Sequence, residues 1–289
     1  MKKYLISILL LIFTLALFLP GCSQKSEKPF VIGVIPTQNQ GDMQKALSTL
    51  AEKIGAKLGK KAELKVYPDY NGVVEAMKYG EIDLAYFGPY TYIIAHRDSG
   101  AEAIATLLID GKPYYHSLII APKDSPINSV KDIVYNSKNL VFAFGDPNST
   151  SGSLIPGLFL KEQGLFNTPE DHKFKQIIYT GGHDATALAV ENKKADLGAV
   201  DSAILKSLIK KGKIDESKIK VIWTSKPLFQ YPWAVKKDTP QEVREKILSV
   251  FLEIKDPEIL SIFGASGFTK ASDKDYNDIR EAAKKMGRF

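Results

Sequence analysis

The chain has 289 residues, one cysteine and a formal net charge of +6. A single cysteine excludes an intrachain disulfide. The basic residues are scattered without interleaved aromatic side chains, so nucleic acid is not an expected partner. The mild positive charge suits the capture of small anions, and the length allows two lobes with separate cores.

The N-terminus has the pattern of an export signal. A basic tripeptide precedes the apolar run Tyr4 to Leu19, which is shorter than the usual length of about 20 residues for a membrane-spanning helix. The tetrapeptide Leu19-Pro-Gly-Cys22 resembles a bacterial lipobox, although its proline departs from the usual Ala or Ser. Residues 1–21 are therefore predicted as a signal peptide and 22–29 as a tether lipidated at Cys22. The expected location is the periplasm or the outer face of the cell membrane, with an anchor and no membrane span; the alternative is a buried or incidental cysteine.

The body of the chain alternates between strand-like and helix-like segments. In the first half, the predicted strands are 30–35, 62–66 and 82–87, and the predicted helices are 42–58, 73–79 and the segment from Pro89 through His96. This alternation predicts an α/β fold with a largely parallel sheet covered by helices on both faces.

A second copy of this pattern follows about 113 residues later. The segment from Glu75 to Ala85 matches that from Leu188 to Gly198, since each ends a helix and opens a strand with Asp-Leu. The same offset superimposes residues that follow predicted strands: Thr37 on Thr150, Tyr70 on His183 and Gly88 on Asp201. Ligands of open α/β sheets bind beyond the carboxyl ends of strands, so we expect two similar lobes that face each other across a cleft.

The second copy opens with a strand–turn–helix pattern. Leu140 to Phe144 is apolar and β-prone, Gly145 to Asn148 is rich in turn formers, and Ser149 to Ser151 are good helix N-caps. A helix N-terminus with three hydroxyl groups offers several donors and a partial positive charge. This turn is therefore predicted to bind an anion, the alternative being an ordinary helix cap.

Two apolar segments, 115–124 and 231–238, bracket the second copy. We expect them to pair as neighbouring strands and form a two-stranded hinge, the alternative being two ordinary edge strands. The first lobe is then 30–118 with 232–289, and the second is 119–231. The remaining helices are expected to pack on the first lobe: 241–254, a helix opened by Asp256-Pro257, and 275–286.

Five motifs stand in order along the chain: Asp69-Tyr-Asn-Gly72 with Glu75-Ala-Met77, Asp83-Leu-Ala-Tyr-Phe-Gly-Pro-Tyr90, Asn148-Ser-Thr-Ser-Gly152, Thr180-Gly-Gly-His183 and Ala195-Asp-Leu-Gly-Ala-Val-Asp-Ser202. Together they resemble one family, the phosphate, phosphite and phosphonate substrate-binding proteins of ABC importers. The resemblance runs from about Pro29 to Phe289. It implies a two-lobed type II periplasmic binding protein fold, with two Rossmann-like lobes joined by a two-stranded hinge.

The resemblance also implies a function and a set of ligand-binding residues. The protein would bind a small phosphorus oxyanion between the lobes and deliver it to an ABC permease in the cytoplasmic membrane. It would act as a monomer, without a cofactor or metal and without catalysis. The implied ligand-binding residues are Tyr70 and Tyr90 in the first lobe and Ser149, Thr150, Ser151, His183 and Asp201 in the second.

Each of these residue types has a chemical role at such a site. The hydroxyl and backbone donors of Ser149 to Ser151 suit a tetrahedral oxyanion, and His183 is expected to add a donor or a positive charge. Asp201 is expected either to accept a hydrogen bond from a monoprotonated oxyanion, which excludes sulfate, or to pair with the ammonium group of an aminoalkylphosphonate. Tyr70 and Tyr90 are expected to wall the rest of the ligand.

Two other functions stay open. A hydrolase on the same scaffold would use Ser151 and His183, but the sequence has no Gly-x-Ser-x-Gly elbow, P-loop or metal-ligand spacing. A sensor module would present the ligand to a membrane kinase. Turnover would identify the first, and uptake independent of this protein would favour the second.

Overall fold

The computed structural model describes residues 28–289. The predicted signal peptide, the predicted lipidation site Cys22 and most of the predicted tether lie outside the described residues.

Strands and helices alternate through most of the chain. The strands are β1 (Phe30–Val34), β2 (Ala62–Val66), β3 (Leu84–Tyr86), β4 (Glu102–Leu108), β5 (Tyr114–Tyr115), β6 (Ser117–Pro122), β7 (Val141–Phe144), β8 (Phe166–Thr168), β9 (Asp171–His172), β10 (Gln176–Tyr179), β11 (Leu197–Asp201), β12 (Ile219–Thr224), β13 (Leu228–Phe229), β14 (Pro232–Val235) and β15 (Gly267–Lys270). The helices are α1 (Gln40–Leu58), α2 (Tyr70–Lys78), α3 (Pro89–Ser99), α4 (Val130–Asn136), α5 (Ile155–Glu162), α6 (His183–Glu191), α7 (Ser202–Lys210), α8 (Gln241–Glu253), α9 (Pro257–Phe263) and α10 (Asn277–Lys285).

Eleven of these fifteen strands form two main sheets, and β5 with β13 and β8 with β9 form two-stranded pairs. The first has six strands in the order β15-β4-β14-β3-β1-β2, and the second has five in the order β10-β7-β11-β6-β12. The expected α/β class with two lobes is confirmed. The largely parallel sheet is not, because β14 runs antiparallel to β3 and β4, and β6 runs antiparallel to β11 and β12. Strand β15 also runs antiparallel to its neighbour β4. Of the antiparallel strands, β6 and β14 are those that directly follow the two crossings between the sheets.

The chain crosses between the sheets twice, and the two crossings pair with each other. β5 and β13 form an antiparallel ribbon in which Tyr115 faces Leu228 and Tyr114 faces Phe229. The connection is two-stranded, but the expected pairing of segments 115–124 and 231–238 is wrong. β6 and β14 lie within those segments and are completely buried inside different sheets, which explains their continuous apolar sequence.

The repeated Asp-Leu has the same structural role in both lobes. Asp83 Oδ2 accepts the N–H of Val31 over 2.9 Å, and Asp196 Oδ2 accepts the N–H of Val141 over 2.7 Å. Each carboxylate therefore fastens the turn before one strand to the start of a neighbouring strand.

The C-terminal helices complete the first lobe. α8 and α9 pack on α1, and α10 packs on α3. Helix α9 also contacts α7 of the second lobe, where Ser207 Oγ donates to the carbonyl oxygen of Ser261 over 2.9 Å. Within residues 28–289, the structure has no helix with the length and apolar composition needed to cross a membrane.

Candidate functional site

The Ser149–Ser151 turn lies between β7 and α5, at the carboxyl end of β7. Ser149 caps the turn, since its Oγ accepts the N–H of Gly152 over 3.0 Å. The chain then forms a π-helical turn over Thr150–Leu154 before α5 begins. π-Helical turns concentrate at functional sites because they redirect backbone and side-chain groups. All three hydroxyl residues are fully buried, so they face the interior between the lobes rather than bulk water.

Gly152 makes room for this turn. A Cβ at this position would lie 2.9 Å from Ser149 Oγ, 3.2 Å from Gly145 Cα and 3.2 Å from His183 Cε1. The space beside Gly152 is therefore filled by the cap, by backbone and by a residue of the predicted site, and a side chain would displace them.

Helix starts from each lobe donate to the other lobe. Tyr70 and His183, which the repeat superimposes, are each the first residue of a nine-residue helix. The N–H of Tyr70 donates to Asp146 Oδ2 over 3.3 Å, and the N–H of His183 donates to the carbonyl oxygen of Thr37 over 3.0 Å. The structure therefore shows the two lobes closed on each other at the predicted site.

His183 is neutral and fully engaged by the protein. Burial lowers its pKa from 6.5 to about 3. Its Nδ1 accepts the N–H of Asp201 over 3.3 Å, so its proton is assigned to Nε2, which lies 3.1 Å from the hydroxyl of Tyr231. The expectation of a ring donor or a positive charge toward the ligand is therefore not met, because both ring nitrogens have protein partners.

Asp201 has one engaged oxygen and one free oxygen. Oδ1 caps α7 by accepting the N–H groups of Ala203 over 2.7 Å and Ile204 over 3.0 Å. Oδ2 is buried and has no partner among the described residues. Burial raises the pKa of the carboxyl from 3.8 to about 7, although the two N–H groups and the Tyr231 hydroxyl oppose the rise. The carboxyl therefore changes its protonation near neutral pH.

Like Asp201 Oδ2, three hydroxyl groups of the site are buried without a partner among the described residues. They are Tyr70 Oη, Tyr115 Oη and Ser151 Oγ. Burial is the main cause of the raised pKa of both tyrosines. Asp201 adds to it in each case, although Asp146 adds more than Asp201 for Tyr70, so both tyrosine hydroxyls lie near the Asp201 carboxyl. A buried polar group without a partner costs about 1–3 kcal/mol, and four of them at one place indicate a binding site for a polar ligand.

Sequence reasoning missed three tyrosines of this site. Tyr86 and Tyr231 stack with ring centroids 5.5 Å apart, and Tyr115 packs on Tyr231 at 5.3 Å. Asp201 raises the pKa of all three hydroxyls, burial being the larger cause. The available signal was position, since Tyr86 and Tyr115 end strands β3 and β5, and Tyr231 directly precedes β14.

Tyr90 reaches the site with its backbone rather than with its ring. Its N–H donates to Thr150 Oγ1 over 2.8 Å, whereas its hydroxyl donates to the carbonyl oxygen of Arg288 over 2.9 Å. Helix α3 begins at Pro89 and sends the Tyr90 ring toward the C-terminus of the chain. The expectation that Tyr90 walls the ligand with its ring is therefore not met.

Residues 28–289 contain no group of three or more His, Cys, Asp or Glu side chains arranged to hold a metal ion. The site is instead built from hydroxyl groups, backbone N–H groups and one carboxyl.

The sequence matches a known family over most of its length. The family described as "ABC transporter, phosphonate, periplasmic substrate-binding protein" matches residues 32–276. The "Phosphonates-binding periplasmic protein" of Escherichia coli (strain K12) is 31% identical over 269 residues, which are 91% of this chain and 78% of that protein. The "Phosphate-import protein PhnD" of Mycolicibacterium smegmatis is 29% identical over 277 residues, which are 89% of this chain and 85% of that protein.

Solved structures agree with these relatives. PhnD1 from Prochlorococcus marinus (MIT 9301), solved in complex with methylphosphonate, superimposes with a TM-score of 0.80 at 27% identity and covers 91% of this chain and 99% of that chain. A binding protein component of an ABC phosphonate transporter from Pseudomonas aeruginosa gives a TM-score of 0.80 at 27% identity, over 91% of this chain and 88% of that chain.

Proposed function

The chain belongs to the family of periplasmic substrate-binding proteins of phosphonate ABC transporters, and from this premise we propose that it binds a small phosphorus oxyanion between its lobes and delivers it to an ABC permease. One observation carries the proposal. Tyr70 Oη, Tyr115 Oη, Ser151 Oγ and Asp201 Oδ2 are buried and without partners among the described residues. A small tetrahedral ligand with several oxygens would satisfy them together, which a single water molecule would do less completely.

The Ser149–Ser151 turn is the proposed seat of the oxyanion. Thr150 Oγ1 already accepts the N–H of Tyr90, so its own proton is available to donate to a ligand oxygen. Ser151 Oγ has no partner among the described residues. Hydrogen bonds to a charged oxyanion contribute about 1.5–3 kcal/mol each, so a few of them support micromolar or tighter binding.

Asp201 is the proposed discriminator among anions. Its free Oδ2 can share a proton with a ligand oxygen, either by accepting it from a monoprotonated phosphorus oxyanion or by holding it. Sulfate has no proton to give at neutral pH and would meet a carboxyl that is partly ionised. An aminoalkylphosphonate would use the same oxygen for its ammonium group, and the tyrosines around Asp201 would surround that group.

We also propose that the lobes expected at 30–118 with 232–289 and at 119–231 are the halves that open and close. The β5–β13 ribbon joins them and is the hinge. Strand β6 already pairs in the second sheet from Ser117, so the crossing lies a few residues before the expected boundary. Lipidation at Cys22 and a monomeric state complete the proposal.

Binding is proposed to be the whole reaction. A hydrolase would need the His183 ring as a base beside the Ser151 hydroxyl. Both nitrogens of that ring have other partners, Asp201 N–H and the Tyr231 hydroxyl, and this supports binding without bond cleavage. The sensor alternative has no specific observation in its favour.

Isothermal titration calorimetry tests the proposal. The protein from Ser23 onward, which contains both sheets, would be titrated with phosphate, phosphite, methylphosphonate, aminoethylphosphonate and sulfate. We expect stoichiometric binding of at least one phosphorus ligand and no heat from sulfate. Silence from all four phosphorus ligands, or release of a cleaved product, would overturn the proposal.

A further inference from the structure

Arg288, the penultimate residue, reaches from the first lobe to the loop that carries the Ser149–Ser151 turn. Its Nη1 donates to Ser153 Oγ over 3.3 Å, and its Nη2 donates to the carbonyl oxygen of Pro147. These two acceptors flank the turn on its two sides. One guanidinium group therefore contacts both ends of the loop, which suits the planar fork of arginine donors.

The same residue is fixed to the first lobe through Tyr90. The carbonyl oxygen of Arg288 accepts the Tyr90 hydroxyl over 2.9 Å, and the guanidinium carbon lies 4.8 Å from the centre of the Tyr90 ring. Cations at this distance over an aromatic face are attracted to it. The N–H of Tyr90 in turn donates to Thr150 Oγ1. Tyr90 therefore connects the chain terminus directly to the turn.

Two neighbouring contacts tie the end of α10 to α5, the helix that follows the turn. Lys161 Nζ donates to the carbonyl oxygen of Lys285 over 3.1 Å. Met286 lies against Gly157, where an added Cβ would come within 3.5 Å of Met286 Cε. The C-terminal segment thus lies along the seam between the lobes, on the side of the turn.

We propose that Arg288 is a positioning residue that holds the Ser149–Ser151 turn in its binding geometry and keeps the lobes closed over it. This inference rests on the proposed function. The contacts of Arg288 described above are all made to protein groups, so its effect acts through the turn and through the closed state. Contacts that must break before a ligand leaves act mainly on the dissociation rate.

The alternative is an ordinary surface contact. Exposed ionic and polar contacts of long side chains often contribute nothing measurable. Arg288 is half-buried, and its contacts converge on one loop. A positioning role predicts that removal of the guanidinium changes the dissociation rate of the ligand, whereas an ordinary surface contact predicts no change.

Dissociation kinetics separate these alternatives. Stopped-flow displacement of methylphosphonate would compare wild type with Arg288→Ala, Arg288→Lys and Lys284→Ala, a control on the exposed face of α10. For Arg288→Ala we expect about a tenfold faster dissociation, because the closed state is less stable, and an unchanged melting temperature. Arg288→Lys should lie between, since an ammonium group cannot reach both acceptors as a fork. A dissociation rate within about twofold of wild type, or an equal increase in Lys284→Ala, would overturn the proposal.

A second measurement does not depend on the ligand. The protein from Ser23 onward has no cysteine, so spin labels on Lys45→Cys in the first lobe and Lys194→Cys in the second report the distance between lobes. Without ligand, Arg288→Ala should shift the distance distribution away from the wild-type closed state, and Lys284→Ala should not. An unchanged distribution for Arg288→Ala would reject the role in closure. If wild type bound no phosphorus ligand, the proposed function would fail while this distance would still decide the role of Arg288.

Discussion

The backbone N–H of Tyr90 donates to Thr150 Oγ1 across the lobes, over 2.8 Å. The acceptor is the hydroxyl that the sequence assigns to anion binding. The bond joins the two lobes, fixes the position of the Thr150 hydroxyl oxygen and leaves the hydroxyl proton free to point elsewhere.

Thr150→Val is expected to weaken binding of the phosphorus ligand by about 1–3 kcal/mol, since it removes one donor to the ligand and the acceptor of the Tyr90 N–H. Thr150→Ser keeps both functions and should stay near wild type. Calorimetry measures both, with Thr269→Val on strand β15 as the matched control. Equal affinity of Thr150→Val and wild type would remove the turn from the proposed site.

Gly152→Ala is expected to distort the turn. The added Cβ would lie 2.9 Å from Ser149 Oγ and 3.2 Å from Gly145 Cα, and overpacking of this kind costs about 1–3 kcal/mol. We expect a lower melting temperature and ligand affinity reduced at least about tenfold. Gly267→Ala, in an edge strand where the nearest atom to the new Cβ is 3.9 Å away, is the control. An affinity loss shared by both variants would contradict the prediction.

Asp201→Asn is expected to change which anions bind. The amide oxygen should keep the hydrogen bonds to the N–H groups of Ala203 and Ile204, which places the amide NH2 at the free position. The NH2 group then donates a hydrogen bond to a ligand oxygen, where the carboxyl had shared a proton with it. Sulfate, which has no proton to share, should therefore become a ligand. Calorimetry with sulfate measures this gain, and Asp238→Asn at an exposed site is the control. Continued silence of sulfate together with unchanged binding of the phosphorus ligand would reject Asp201 as the discriminator.

Asp201 and His183 are expected to oppose each other in the pH dependence of stability. Burial raises the pKa of Asp201 from 3.8 to about 7. The stability that the protonated carboxyl contributes is therefore fully present below its unfolded-state pKa of 3.8 and is lost as the pH rises to about 7. Burial lowers the pKa of His183 from 6.5 to about 3, so its contribution is present above 6.5 and is lost as the pH falls toward 3. Between about pH 4 and 6.5, the two groups change the free energy of unfolding with opposite slopes, so their effects on its pH dependence cancel.

Urea unfolding across this pH range tests the cancellation. Asp201→Asn should become more stable relative to wild type as the pH rises toward 6.5 and beyond, because the penalty for ionising Asp201 is gone. His183→Gln should lose unfolding free energy with rising pH, because only the Asp201 effect remains. His172→Gln is the control. Variant curves that run parallel to wild type would show that neither group titrates as its burial implies.

Cys22→Ser is expected to release the mature protein from the membrane fraction into the soluble fraction. The reason is that acyl chains attached at this cysteine would supply the anchor. Fractionation and immunoblotting measure the distribution, with Ser23→Ala as the control. Retention of Cys22→Ser at the membrane would contradict the lipidated anchor.

Local chemistry made part of the site predictable. Asp69 and Asp201 are N-cap residues followed by helices, and such caps can be read from a few neighbouring residues. The repeat superimposed Tyr70 on His183, and the structure places each of them at the first position of a helix. These features depend on residues that are close in sequence, which is why the pattern located them.

The other features of the site depend on contacts between residues that are far apart in the sequence, and these could not be predicted. Tyr115 and Tyr231 reach the site only because the crossings between the lobes pair as the β5–β13 ribbon, and no local pattern fixes that register. The direction of the Tyr90 ring depends on Arg288, almost 200 residues later in the chain. The expected hinge pairing failed for the same reason, because two apolar segments of similar pattern belong to different sheets.

The strand order of the first sheet constrains how the chain can fold. Strand β14 lies between β3 and β4, and β4 pairs only with β14 and β15 within the described part of the chain. The first lobe therefore cannot complete its sheet until residues 232–270 are available, whereas all strands of the second sheet lie between 117 and 224. Contacts so distant in sequence form late. We expect the second lobe to become protected from proteolysis first during synthesis. The first lobe stays incomplete, with no strand between β3 and β4, until β14 has been synthesised.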